Sequence, residues 1–253
     1  MTPIILEKLA EIESRHKVKI LCAMESGSRA WGFPSPDSDY DARFIFAHSR
    51  DTYLGFLPYK DELGIPVDEV LDIKGWDLRK AIELAMKRNV TPYEWLQSPI
   101  IYREVPGFRE ELFRLLSPGY SPIGVVYHYV SQARNSMESG LSGDEVKMKK
   151  YFYVLRALLS AQWAAERHTV APMEFRPLLA QLAHRPDLLA IIEELLELKK
   201  TSNEKTMIPV QAPLQEYIHQ LFDRLNAVAK SLPAGNNDGA GLSEFFIRTV
   251  SGV

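Results

Sequence analysis

Cysteine is almost missing from this sequence: 253 residues hold one, Cys22. A lone thiol excludes an intramolecular disulfide and argues against zinc–thiolate chemistry. Long apolar runs are missing as well. No stretch reaches the roughly 18 residues a membrane-spanning helix needs, so no membrane partner is expected. The opening Met1-Thr2-Pro3-Ile4 lacks the basic-then-apolar layout of a secretory signal, and the expected location is cytoplasmic. Neither sign of charge dominates. Thirty Lys and Arg against 33 Asp and Glu leave a formal charge of −3, which excludes a uniformly basic, nucleic-acid-coating protein but leaves room for a local cationic patch. The six histidines show no metal-ligand spacing, and there is no internal repeat. What is present is ordinary for a globular protein: 46% hydrophobic and 25% charged residues, on a length that allows one large domain or two small ones.

The texture changes along the chain. Residues 18–75 mix short apolar runs with Gly, Pro and Asp, whereas residues 76–230 carry helical periodicity with few glycines. Pro3 suits the first turn of a helix in which Ile5, Leu9 and Ile12 share a face. Residues 18–24, 40–46 and 66–73 read as strands, with Gly75 as the break before a helix over 76–88. Further helices are expected near 91–98, 108–116, 122–139, 144–167, 174–184, 187–200 and 212–230. The expected architecture is α+β: a small mixed-sheet domain over residues 1–105, a helical domain over 106–232, and a flexible linker and tail over 233–253. Cys22, in its apolar strand, reads as an inert core thiol, and Trp76, Trp95 and Trp163 read as core.

The chemistry is concentrated in residues 25–43. A strand ends in Gly27-Ser28 at a probable helix start, where glycine lets the backbone approach a phosphate and free N–H groups favour an anion. After a polar loop, Asp39 and Asp41 stand two apart at the head of a strand, so their carboxylates share a face. Two such carboxylates repel unless a cation sits between them, and Mg²⁺, which shares oxygen ligands with substrate phosphates, suits the position. A third carboxylate would complete a two-metal site. Asp72, judged to lie late in the next strand, is the choice, with Asp68 on the same face as the fallback and Glu69 a competitor. Its role is to orient the attacking hydroxyl or accept its proton. Two arginines stay open: Arg29 touches phosphate or pairs with Asp37, and Arg43 neutralises the Asp pair or reaches a phosphate.

Gly27-Ser28, ten intervening residues and then Asp39-Tyr40-Asp41-Ala42 resemble the signature of the DNA polymerase β-like nucleotidyltransferase superfamily. Ser26 stands where that signature has a hydrophobic residue. The longer strings narrow the resemblance: residues 25–32, 37–43, 75–80, 91–99 and 149–156 look like the YcgL/RlaP-type bacterial and phage nucleotidyltransferases, some associated with RNA repair. The resemblance implies a palm-like mixed sheet with an appended helical domain. It also implies a triphosphate on Gly27 and Ser28, with Ser38 nearby, and two Mg²⁺ ions, with Mn²⁺ as a substitute, on Asp39, Asp41 and Asp72. A substrate oxygen would attack the α-phosphorus of a nucleoside triphosphate such as ATP, releasing pyrophosphate.

Lys149, Tyr153, Arg156 and Ser160 form a helical stripe, beside a second stripe of Met148, Phe152, Leu155 and Leu159 that reads as core. The first stripe, turned to a cleft, would bind a triphosphate tail and stack a base. Lys147, Lys149, Lys150 and Arg156 together offer a cationic rim for an RNA end. The expected activity is Mg²⁺-dependent transfer of a nucleoside monophosphate to an acceptor hydroxyl. The resemblance points first to an RNA end; a protein side chain or a small molecule is the other acceptor class. The alternative is a nucleotide-binding regulator or antitoxin-like partner without turnover.

Overall fold

The computed structural model describes residues 1–65, 70–235 and 239–252. In chain order its first elements are α1 (Thr2–His16), β1 (Lys19–Glu25), α2 (Gly27–Trp31), β2 (Tyr40–Ala47), α3 (Arg50–Leu54), β3 (Glu62–Ile65) and β4 (Leu71–Asp77). There follow α4 (Leu78–Met86), α5 (Thr91–Leu96), β5 (Ile101–Glu104), α6 (Phe108–Leu116), α7 (Pro122–Glu138), β6 (Glu145–Lys147) and α8 (Met148–Arg167). The chain ends with α9 (Phe175–Leu178), α10 (Pro186–Lys199), β7 (Met207–Pro209), α11 (Ala212–Val228) and α12 (Ala240–Val250).

Contacts divide the chain into two units. One comprises Met1–Ala30, Asp39–Tyr120 and Asn236–Val253; the other comprises Trp31–Ser38 and Ser121–Gly235. The division differs from the expected one in three places. The boundary lies at Tyr120 rather than 105, because α6 buries Phe108, Leu112 and Leu116 in the first unit. The loop 31–38 packs with the helical unit. The expected flexible tail contains α12, whose Leu242, Phe245 and Val250 are buried in the first unit; part of the expected linker lies outside the described residues.

The first unit is α+β. Its sheet has the order β3-β4-β2-β1-β5, with β2 and β4 parallel and the other neighbours antiparallel. Burial explains why β1 carries almost no polar side chain: of Lys19–Glu25 only Lys19 is not buried. Ile5, Leu9 and Ile12 of α1 pack against Ile20, Ala23, Phe44, Phe46 and Ile73 of the sheet. Each of these Ile, Leu and Phe side chains removed from water contributes roughly 1.5–3 kcal/mol. Cys22 is buried, and burial pushes its thiol pKa well up. A thiol reagent is therefore expected to leave the native protein unmodified and to label one thiol after denaturation, as absorbance at saturation would show.

The third strand departs from expectation. Residues 66–69, with Asp68 and Glu69, lie outside the described residues, and the strand runs from Leu71 on through Gly75 to Asp77. Gly75 is not a break: Phe44 lies opposite it in the parallel register, and a Cβ there would overlap the Phe44 ring. The helix then starts at Leu78, capped by Asp77, whose Oδ1 accepts the Arg79 N–H at 2.8 Å. Two short strands, β3 and β5, escaped the sequence reading. Each is four residues long and lies at a sheet edge, where little alternation is visible.

In the second unit α8 packs against α7 and α11, and β6 pairs with β7 in a small ribbon where a helix start was expected. α8 is buried around nearly its whole circumference. The loop 31–38 is held here by aromatic and polar contacts. Phe33 stacks on Phe152 at 5.2 Å and meets Phe175 edge-on at 5.4 Å. Lys199, 1% exposed, donates to Ser35 Oγ at 2.7 Å and to Glu204 Oε1 at 3.4 Å. Glu204 accepts from Ser38 Oγ at 2.6 Å, and its N–H donates to both Asp37 carboxylate oxygens. Lys199→Met is expected to lower unfolding free energy by roughly 1–3 kcal/mol in urea titration, since it leaves buried Ser35 without a hydrogen-bond donor and takes one of two cations, the other being Lys149, from Glu204.

Candidate active site

The parallel pairing of β2 and β4 builds this site. Asp41 lies opposite Asp72 in the register, so the two side chains share one sheet face on neighbouring strands, roughly 5 Å apart in backbone spacing. Arg43, two residues along β2, reaches back between them. Its Nη2 donates to Asp41 Oδ1 at 3.0 Å and to Asp72 Oδ2 at 2.9 Å, while Nη1 donates to the Asp72 carbonyl at 3.0 Å. Lys74 Nζ donates to Asp72 Oδ2 at 3.2 Å. Of the two roles left open for Arg43, neutralising the carboxylates is the one this geometry displays. Asp72 stands near the start of β4, not late in it, and it faces Asp41 because the strand begins later than expected.

Gly27 closes the site from the side. Its φ is +60°, a conformation that favours glycine, and a Cβ there would collide with Asp41 Oδ2. The Gly-Ser turn is thus pressed against the Asp41 carboxylate. Burial raises the Asp41 pKa, with Asp72 and Asp39 adding to the rise and Arg43 opposing it. Ser28 is buried in α2. Arg29 Nε donates to the Asp39 carbonyl at 3.0 Å, and its guanidinium lies over the Tyr40 ring at 3.7 Å. It therefore braces the approach to β2. Asp37 receives the Glu204 N–H.

Asp39 does not join the pair. It precedes β2 and is exposed, and among the described residues no group of three or more His, Cys, Asp or Glu side chains is placed to hold a metal ion. The expected three-carboxylate set is therefore realised as two converging carboxylates and one flanking carboxylate. The donors present still suit a hard cation: all are carboxylate oxygens, and Asp72 Oδ1 is buried with no hydrogen-bond partner.

Glu25 was passed over, and it organises the turn. It is fully buried, and its Oε1 accepts the Asp41 N–H at 2.6 Å while Tyr102 Oη donates to Oε2. Its carbonyl accepts from Ser98 Oγ at 2.6 Å. Burial pushes the Glu25 pKa up. One signal was available: a carboxylate closing an otherwise apolar strand directly before Gly-Ser.

The helical stripe is corrected. Arg156 is 2% exposed, donates from Nε to the Met173 carbonyl at 3.1 Å and lies over the Trp31 ring at 4.3 Å. Ser160 is fully buried. Arg156 thus packs the interior of its unit rather than facing a ligand. Tyr153 is half-buried, edge-on to Trp31 at 5.4 Å, and Lys149 pairs with Glu204 at 3.2 Å. Ser38 is also corrected. It is buried, with its Oγ accepting the Ser35 N–H at 2.9 Å and donating to Glu204, which takes up the hydroxyl inside the loop.

Two carboxylates in parallel register against a Gly-Ser turn are one part of a recognisable pattern; comparison with known proteins supplies the rest. The model of the RlaP family, described as an RNA repair pathway DNA polymerase beta family, matches residues 1–248. The chain belongs to this family. Membership places it in the nucleotidyltransferase superfamily, among transferases. A relative, the uncharacterized protein YcgL of Bacillus subtilis (strain 168), is 40% identical over 250 residues, covering 98% of this chain and 96% of the relative. A solved structure of a nucleotidyltransferase-like protein from Exiguobacterium sibiricum 255-15 aligns over 88% of this chain and 73% of its own, at 12% identity and a TM-score of 0.31. At that level the likeness adds nothing to the family assignment. No helix among the described residues is long and apolar enough to cross a membrane.

Proposed function

We propose that this RlaP-family chain is a Mg²⁺-dependent nucleotidyltransferase that moves a nucleoside monophosphate from a triphosphate, ATP first, to an acceptor hydroxyl. The observation that carries this is the register pair Asp41 and Asp72 set against Gly27. Asp41 and Asp72, with Asp39 at the flank, would hold Mg²⁺ or Mn²⁺; the bound ion supplies neutralising charge to the phosphate oxygens. The Gly27-Ser28 backbone receives the phosphates, and Arg43 shares its guanidinium between the carboxylates and the incoming anion. The acceptor oxygen bonds to the α-phosphorus as the bond to the β-phosphate oxygen breaks. Pyrophosphate leaves, and the hydroxyl proton passes to Asp72.

An RNA end is the acceptor we favour, because the family is described by its RNA repair pathway, and a cytoplasmic setting is part of the proposal. The test is incubation with each labelled triphosphate, Mg²⁺ and RNA with defined ends, alongside protein and small-molecule acceptors. Label on RNA with equivalent pyrophosphate release supports the reading. Mg²⁺-dependent binding of a triphosphate without release would replace it with the non-catalytic nucleotide-binding one.

A further inference from the structure

Strand β4 carries an aspartate near each end. Asp72 stands at the start of β4 and Asp77 at its finish, five residues on and so roughly 17 Å away along the strand. Beside Asp77 lies a cavity of about 580 Å³ bounded by α3, α4 and α12. Ligand sites for small organic molecules fall in this size range.

Its wall combines an apolar floor with unpaired positive charge. Ile82, Leu242 and Val250 are buried beneath it, and Leu54, Met86 and Ile247 form an exposed apolar rim. Tyr53 stands upright in the wall because its hydroxyl is committed to Asp77 Oδ2 at 2.6 Å. Arg79 lies over the Tyr53 and Phe246 rings, 5.2 and 5.1 Å from their centroids. Stacking fixes the guanidinium plane while leaving its in-plane N–H donors for a partner. Arg50 reaches the same cavity from α3. Neither arginine has a carboxylate partner among the described residues. Glu83, the acid in the lining, is 3.7 Å from Lys87 and so already shares a cation.

We infer that this cavity is a binding site for a small amphipathic anion, an acyl or aryl body ending in a carboxylate or phosphate. The body would lie on Ile82, Leu242 and Val250, and the head between Arg50 and Arg79. A nucleotide fits poorly, since its polar base and ribose would bury hydrogen-bonding groups against that apolar floor. The site is separate from the Asp41–Asp72 pair and does not depend on the proposed transfer reaction.

The test uses the full chain with anilinonaphthalene sulfonate, an aryl anion that fluoresces when it enters an apolar site. Saturable one-to-one binding is expected, with displacement by decanoate or decyl phosphate and none by decyltrimethylammonium at the same concentration. Arg50→Ala, a surface change, and Arg79→Met should each weaken binding by about tenfold through loss of a charge-assisted contact. Met86→Trp, placed at the exposed rim, should obstruct the mouth of the cavity and weaken binding without lowering the melting temperature. Absence of saturable binding, equal displacement by the cationic amphiphile, or binding indifferent to all three substitutions would overturn the assignment.

Discussion

Asp41→Asn is expected to lower nucleotidyl transfer by on the order of a hundredfold or more while leaving the protein folded. The substitution keeps the side-chain volume, so Gly27 retains its close approach and the strand register is undisturbed. What it removes is the negative charge that burial, Asp72 and Asp39 already make costly, and that a cation would stabilise. Arg43 retains its bonds to Asp72, so urea denaturation should change by less than about 1 kcal/mol. Transfer is measured as labelled nucleotide incorporated per enzyme at saturating Mg²⁺. Full activity in Asp41→Asn would exclude the carboxylate pair as the reaction centre. Asp39→Asn, run beside it, reports how far the flanking carboxylate takes part.

Gly75→Val is expected to destabilise the protein by roughly 3 kcal/mol, the upper range for forcing atoms into a packed core. Phe44 and Gly75 face each other in the parallel register, and the ring occupies the space a side chain would need. Urea titration should show a lower midpoint with an unchanged slope. The double variant Phe44→Leu with Gly75→Val should recover part of the loss, because the smaller side chain frees that space; additive effects would show that the ring is not the cause. Register and chemistry are linked here. The packing that aligns Phe44 with Gly75 also aligns Asp41 with Asp72, three residues back on each strand. A destabilised register would therefore reduce transfer as well as stability.

Much of the site was legible in the sequence because its parts are local. Gly27-Ser28 and the Asp39–Asp41 spacing are readable from backbone alternation and turn chemistry within one short segment. The core faces of α1 and β1 were legible for the same reason: periodicity is a property of neighbours in the chain. The Arg156 stripe shows the limit of that reasoning. Helical spacing correctly groups Lys149, Tyr153, Arg156 and Ser160, but periodicity cannot say what lies opposite a face. The loop 31–38 and Met173 lie there, and they turn the cationic end of the stripe into interior packing. Ser38 was misread for a similar reason, since Glu204, its partner, is far away in sequence.

The sequence by itself determined the class of this protein: an α+β nucleotidyltransferase-superfamily chain with its acidic motif on a strand and a glycine turn ahead of it. Only the tertiary structure decided which carboxylate meets Asp41, and that Arg43 and buried Glu25 hold the group together. It also decided that a cationic and apolar cavity lies at the far end of the same strands. The reason is physical. Spacing along one chain specifies faces and turns, whereas register, burial and the meeting of distant side chains are set by how separate segments pack.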